Sequence, residues 1–424
     1  MRNLIDKFFF RSNNLDYISQ NIKNLSNKTP ANKIFKAINS YSNESEIRYV
    51  GGCIRKIINK ENVDDVDLAT NLEPYQICEA LKKNNIQFHE TGLAHGTITA
   101  LIDEFKFEIT TLREDIATDG RHAKVRFSKN WKEDSLRRDF TINSIYSDQT
   151  GNLFDPNNGK KDLEAGNINF IGNADKRIKE DYLRILRYLR FFVNYSKQPH
   201  NSEIIRKIKI NIEGVSNISK ERLLDELKKI TKLNTLEKLT KDKISLNLIL
   251  TIFPELENIS IFSKLSPLKK SLLKENDFIL LLSLMIIGKN DNTDYFLYKY
   301  NISKKDQKRI RNINNFYKNK LQSKIFSENN LNKIFYFDGN QAVIDILVFE
   351  IIKSKKLDND LKKLIEVYKT KSTPKMPISA EMIMKKFNIP EGKELGLKLK
   401  TIEKEWVENN FKISNQKIDN IIKD

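Results

Sequence analysis

Strand-like text in this chain is concentrated in one region, and that concentration limits its folds more than any other feature. Most runs alternating with period two lie between about residues 30 and 160, whereas beyond Gly172 the apolar residues recur at helical spacing. Ile47 to Val50 is a short apolar run that stops at Gly51-Gly52, and Val63 to Leu68 reads as a strand beside it. Thr97 to Asp103 (TITALID) and Phe105 to Leu112 (FKFEITTL) alternate across a charged turn and read as a hairpin. Its second strand sets Phe105, Phe107 and Ile109 on one face and Lys106, Glu108 and Thr110 on the other. Pro74 to Lys83 reads as a helix with proline in its first turn. Farther on, Asp175 to Tyr195 carries Tyr182, Ile185, Leu186, Leu189 and Val193 at the spacing of one helix, and Ser219 is the expected N-cap of SKERLLDELKKI. Lys369 to Pro377 (KTKSTPKMP) reads as a linker to a last small helical unit.

These signs predict an α+β chain: a small mixed-sheet head followed by all-helical domains. At 424 residues one core is too few, and 14 glycines with 9 prolines favour long helices over many short strands. The expected divisions are 1–29 (a helical extension), 30–165 (the head), 166–235, 236–372 and 373–424.

A formal net charge of +18 implies an extended positive field and a polyanionic partner, with nucleic acid first and an anionic membrane surface second. The most apolar run, Phe278 to Ile287 (FILLLSLMII), is far short of the roughly 20 residues of a membrane span and reads as a buried core helix. Two cysteines, Cys53 and Cys78, make neither a disulfide framework nor a CxxC zinc pair, which fits a reducing compartment. The N-terminus, MRNLIDKFFFRSNN, lacks an adequate apolar stretch and a small-residue cleavage site. The expected location is cytoplasmic.

The segment VDDVDLAT crowds Asp64, Asp65 and Asp67 just downstream of Gly51-Gly52. Adjacent carboxylates repel, so this is either a solvated acidic turn or a metal site. On a strand, Asp65 and Asp67 share one face, and two carboxylates so placed can bridge a pair of hard divalent cations about 4 Å apart. Such a clamp activates a hydroxyl and stabilises a leaving pyrophosphate. Gly51-Gly52 after a strand lets backbone N–H groups approach a phosphate. Arg55 is either a partner for a triphosphate oxygen or a surface arginine, and Glu108 either a third carboxylate or a cross-strand partner for a lysine.

At this point the chain resembles a known family. GGCIRK…DDVDLAT is similar to the nucleotidyltransferase signature of the DNA polymerase β superfamily, in the form of class II tRNA CCA-adding enzymes and bacterial poly(A) polymerases. TGLAHGTIT, FEITTLREDIATDGRHAKV, RRDFTINSIY, EDYLRILRYLRFF and SKERLLDEL follow in the family's order, covering about residues 45 to 230. The piece MPISAEMIMKKF…EKEWVENNF matches more loosely. The resemblance implies a catalytic head, a neck (166–235) that recognises the base, and a body and tail that bind tRNA. It implies Mg²⁺ on Asp65 and Asp67; Glu108 is the expected third catalytic carboxylate from its place on the neighbouring strand. Gly51, Gly52, Arg55, Arg138, Asp139 and Asn143 would serve the nucleotide and its triphosphate. Asp181, Arg184 and Arg187 would read the base: Asp181 accepts from an exocyclic amino group while Arg184 donates to ring nitrogen or carbonyl. CTP and ATP both offer that pattern, and GTP and UTP reverse it at the exocyclic position.

Three departures stand out. Lys56 replaces a usual Asp, the loop IINKENVDDVD lacks a glycine-basic pair, and Ser144 replaces a frequent Ala. Within the family, LAHGTIT and the loop Leu112 to Val125, with Arg113, Asp119 and Arg121, are similar to the CCA-adding form, the loop resembling the element required to switch from C to A addition. The expected activity is addition of C, C and A to tRNA from CTP and ATP. Poly(A) addition and a catalytically silent RNA-binding protein are the alternatives. The expected partner is tRNA, at its acceptor stem and elbow, with no membrane and no DNA.

Overall fold

A computed structural model describes residues 17–118, 123–273, 277–288, 291–319, 326–354 and 358–423. Seven strands build one mixed sheet in the first unit: β1 (Ile47–Val50), β2 (Asp67–Thr70), β3 (Gln87–Gly92), β4 (Thr97–Ile102), β5 (Phe105–Thr111), β8 (Tyr146–Ser147) and β9 (Leu153–Phe154). Their spatial order is β3-β4-β5-β2-β1-β8-β9, while β6 (Arg113–Thr118) and β7 (Ala123–Phe127) form a separate antiparallel pair. Among the described residues only β2 and β5 run parallel, with Asp67 opposite Glu108 and Thr70 opposite Thr111.

The hairpin of β4 and β5 forms as its alternation predicts. Ile102 pairs with Phe105 across a turn in which Asp103 takes φ +53°, and Phe107 and Ile109 are buried while Lys106 and Glu108 face solvent. The helix Pro74–Lys83 also forms, with a capping box between Glu73 and Gln76.

Two expected elements are corrected. The strand expected over Val63 to Leu68 begins only at Asp67, and residues 61–66 precede it without regular structure. Asp64 and Asp65 are exposed, where solvent and, for Asp64, the Lys56 ammonium offset their mutual repulsion. The helix expected over Asp175 to Tyr195 is two helices, Ala174–Glu180 and Leu183–Tyr195. Asp181 breaks it with an extended backbone (φ −156°, ψ 105°), and its Oδ1 accepts the Leu183 N–H at 3.1 Å, starting the second helix. At Ser219 the helix Lys220–Ile230 does begin, but the hydroxyl is buried without a hydrogen-bond partner, so only its carbonyl takes part, accepting from Leu223 N–H at 3.1 Å.

An aromatic cluster fixes the second of these helices to the head. Phe140 bridges Phe170 in the backbone and packs its ring at 4.6 Å from Phe170 and edge-on at 5.3 Å from Phe191.

The contacts of the chain fall into two compact units, divided after Glu226. The second, from Leu227, is helical wherever it has regular structure among the described residues. Its helix Phe278–Ile286 is buried from Ile279 to Ile286, as a core helix should be, and among the described residues no helix is long and apolar enough to cross a membrane. After the expected linker, Ile383, Leu395, Ile402, Ile418 and Ile422 form a small core of their own. Of the expected N-terminal extension, residues 17–28 are helical and 1–16 lie outside the described residues.

Candidate active site

Gly51 takes φ +67°, a conformation that favours glycine, and turns the chain from β1 into the helix Gly52–Ile58. Its N–H donates to the Ile145 carbonyl at 3.2 Å. A Cβ at Gly51 would stand 3.5 Å from the Asn143 carbonyl oxygen and 3.9 Å from Arg138 Nη1, and one at Gly52 3.7 Å from Asp67 Oδ2. The turn therefore brings the Gly-Gly pair, the RRDFTIN segment and the acidic segment into one place.

Parallel pairing sets Asp67 directly opposite Glu108. Burial first, then the negative charges of Asp65 and Glu108, push the Asp67 carboxyl up to about 6, against the opposing pull of Arg138 and Arg55. The three expected carboxylates thus act on one another. Among the described residues no three His, Cys, Asp or Glu side chains form a ready-made metal group. The donor set nonetheless suits a hard divalent cation: acidic oxygens accumulate, one of them is half-buried, and their negative charge lacks a full counter-charge. Asp64 stands apart, exposed and ion-paired with Lys56, so the cation that replaces the usual Asp is matched by the third acid of the cluster.

Asn143, Asp139 and Arg138 lie on the segment after the helix Trp131–Arg137, which Asn130 caps. Asp139 Oδ1 accepts from the Phe140 N–H at 2.9 Å and Asn143 Nδ2 at 3.1 Å, and its Oδ2 accepts from Arg187 Nε at 2.6 Å. Arg55 is buried (7% exposed) rather than a surface arginine. It donates to Asn143 Oδ1, with its guanidinium 4.7 Å from the Phe191 ring and 5.2 Å from that of Tyr195. Among the described residues its buried Nε has no hydrogen-bond acceptor.

A cavity of about 460 Å³ is lined by Arg138, Asp139, Asp181, Arg184 and Arg187, together with Arg113 and Asp115 of β6. Asp181 Oδ2 accepts from Arg222 Nη2 at 2.7 Å. Arg184 Nη1 donates to Glu180 Oε2 at 2.7 Å and to the Arg177 carbonyl at 2.8 Å. Both expected base readers keep capacity: a carboxylate has about four acceptor sites and a guanidinium five donors. Arg113 donates to the His95 carbonyl, while Asp119 and Arg121 lie outside the described residues.

Reasoning from sequence missed Arg222 and Glu180, which bond to the two residues expected to read the base. Glu180 directly precedes Asp181 and is four residues from Arg184, an ion-pair spacing that could have flagged it. Arg222 lies within SKERLLDEL, but nothing local ties it to a residue 41 positions earlier.

A family model described as the Poly A polymerase head domain matches residues 47–169. Over 396 residues the chain is 33% identical to a mouse protein named CCA tRNA nucleotidyltransferase 1, mitochondrial, covering 89% of this chain and 86% of that protein. A CCA-adding enzyme of Lactobacillus johnsonii is 36% identical over 206 residues, 48% of this chain and 50% of that one. Among solved structures, the Bacillus stearothermophilus CCA-adding enzyme in complex with CTP has the same fold, with a TM-score of 0.67 at 18% identity over 92% of this chain and 95% of its own.

Proposed function

We propose that this chain, which belongs to the class II CCA tRNA nucleotidyltransferases, completes the 3′ end of tRNA by adding C, C and A from CTP and ATP without a template. It is a nucleotidyltransferase. The terminal 3′-hydroxyl oxygen of the RNA bonds to the α-phosphorus of the incoming nucleotide, the bond from that phosphorus to the bridging oxygen breaks, and pyrophosphate leaves.

Each group has a task set by its position. Asp65 and Asp67 would hold divalent metal, which when bound supplies charge neutralisation at the phosphates. Glu108, in register with Asp67, would receive the proton of the attacking hydroxyl. The Gly52 backbone N–H at the turn set by Gly51, Arg138 and the Arg55 guanidinium would bind the triphosphate. Asp139 and Asn143, mutually bonded, offer an acceptor and an amide to the ribose hydroxyls. Asp181 and Arg184 would read the base edge, and Arg187, tied to Asp139, joins the base side to the sugar side.

The observation that carries this reading is that Asp181 and Arg184 line the same cavity as Arg138, which adjoins the Gly51 turn. Incubating the protein with Mg²⁺, labelled CTP and ATP, and a tRNA stripped of its 3′ CCA should extend it by two C and one A. Long A tails on arbitrary RNA would instead support the poly(A) reading, which the matching head-domain family keeps open. No incorporation would support a silent RNA binder.

A further inference from the structure

Asp134 is wholly buried on the helix Trp131–Arg137, and its carboxylate collects donors from four other residues. Its Oδ1 accepts from Arg137 Nε at 2.8 Å and from the backbone N–H of Arg113 at 3.3 Å. Its Oδ2 accepts from Arg138 Nε and Nη2 at 3.2 and 3.1 Å, and from the Tyr146 hydroxyl at 2.6 Å. Tyr146 also accepts from Arg138 Nε at 3.0 Å. Burial alone would raise the Asp134 carboxyl, yet the guanidinia of Arg138 and Arg137 and the Tyr146 phenol hold it far below the usual carboxylate range.

These partners do different things. Arg138 gives Nε and Nη2 to Asp134, and Nη1 is the nitrogen that adjoins Gly51. Arg113 opens β6, the first strand of the arm formed with β7, and lines the cavity. Tyr146 belongs to β8 in the main sheet. A buried ion pair adds little net stability over apolar packing of the same volume, so stability alone is a weak reason to bury this one. Its geometry instead ties an arginine at the Gly-Gly turn to the foot of the arm.

We propose that Asp134 is a positioning residue for nucleotidyl transfer, fixing Arg138 so that Nη1 addresses the triphosphate at the Gly51 turn and anchoring the β6–β7 arm to the same carboxylate. This rests on the CCA-adding reading above. Asp134 touches no reacting atom; it acts through Arg138 and Arg113.

The test uses the full chain with Asp134→Asn and Tyr146→Phe, measuring CTP and ATP affinity by equilibrium binding, KM and kcat on truncated tRNA, tRNA affinity and Tm. Asp134→Asn should weaken both nucleotides roughly tenfold or more, the scale of losing a charged buried partner. Its tRNA affinity should stay within about twofold, because the phosphate contacts of the RNA are not altered. Tyr146→Phe keeps the ring and removes one donor, so the nucleotides should weaken by about two- to threefold. Unchanged nucleotide affinity and KM in folded variants, with only Tm lowered, would overturn the proposal. If Asp134→Asn does not fold, Tyr146→Phe alone decides by the same criterion. Should the wild-type chain bind CTP yet add nothing to tRNA, the functional reading fails, while the binding constants still decide the role of Asp134. If it binds no nucleotide, both fail.

Discussion

Asp67 sits where burial and two neighbouring acids raise its carboxyl to about 6, a costly state that a protein keeps for chemistry more often than for stability. Replacing it tests the acidic cluster directly. Asp67→Ala should abolish nucleotide incorporation, a loss of at least about a thousandfold for a phosphate-side metal ligand, while tRNA binding in a gel-shift assay stays unchanged. Substantial residual incorporation would remove Asp67 from the chemistry. Asp139 makes the opposite case. Burial raises its carboxyl, but Arg187 and Asn143 outweigh that and pull it down to about 2. A group depressed in the folded state contributes stability above its unfolded value near 4, and loses it as pH falls toward 2. The wild-type Tm should therefore drop between pH 5 and 2, and Asp139→Asn should reduce that drop, the contribution being on the order of 2 kcal/mol at neutral pH. An equal drop in the variant would show that the Arg187 contact does not set the pKa.

At the scale of elements, the proposed base reader Asp181 sits at a break between two helices. The helix Lys220–Ile230 supports the break by pairing Arg222 with Asp181 and Glu226 with Arg190. Arg222→Ala should raise the KM for CTP and ATP by roughly tenfold and admit GTP or UTP, with Arg222→Lys restoring part of the selectivity. Selectivity unchanged in both variants would mean that Asp181 is held by its own backbone. The break itself was not legible beforehand, because Tyr182, Ile185, Leu186 and Leu189 keep helical spacing through it, and only the short polar side chain of Asp181 marks the stop. The β4–β5 hairpin was legible because Phe107 and Ile109 alternate with Lys106 and Glu108 over a half-buried face. For β2, alternation was misleading: it suggested a strand reaching back to Val63, whereas two adjacent exposed acids keep Asp64 and Asp65 out of the ladder. The ordered motifs indicated the family and its candidate residues. They could not indicate that Arg55 turns inward onto Phe191, since that contact depends on a helix more than a hundred residues away in sequence.

On the scale of the whole molecule, the positive charge is unevenly shared. Residues 1–226 hold 36 Lys and Arg against 32 Asp and Glu, a net of +4, whereas residues 227–424 hold 38 against 24, a net of +14. We propose that the second unit supplies most of the phosphate contacts to tRNA, as expected of the body and tail. Apparent tRNA affinity should then fall steeply as salt rises from 50 to 200 mM, by about a thousandfold if some six phosphates are neutralised, while the KM for CTP changes far less. A flat salt response would place recognition outside electrostatics. If side chains, rather than a template, choose C and A at this head, the choice is readable in the sequence of the product. Wild type and Asp181→Ala are each given a tRNA stripped of its 3′ CCA together with all four nucleoside triphosphates, and the products are sequenced. The account predicts only CCA from the wild type and mixed or failed termini from Asp181→Ala. Clean CCA from both would contradict it, as would wild-type products ending in runs of A.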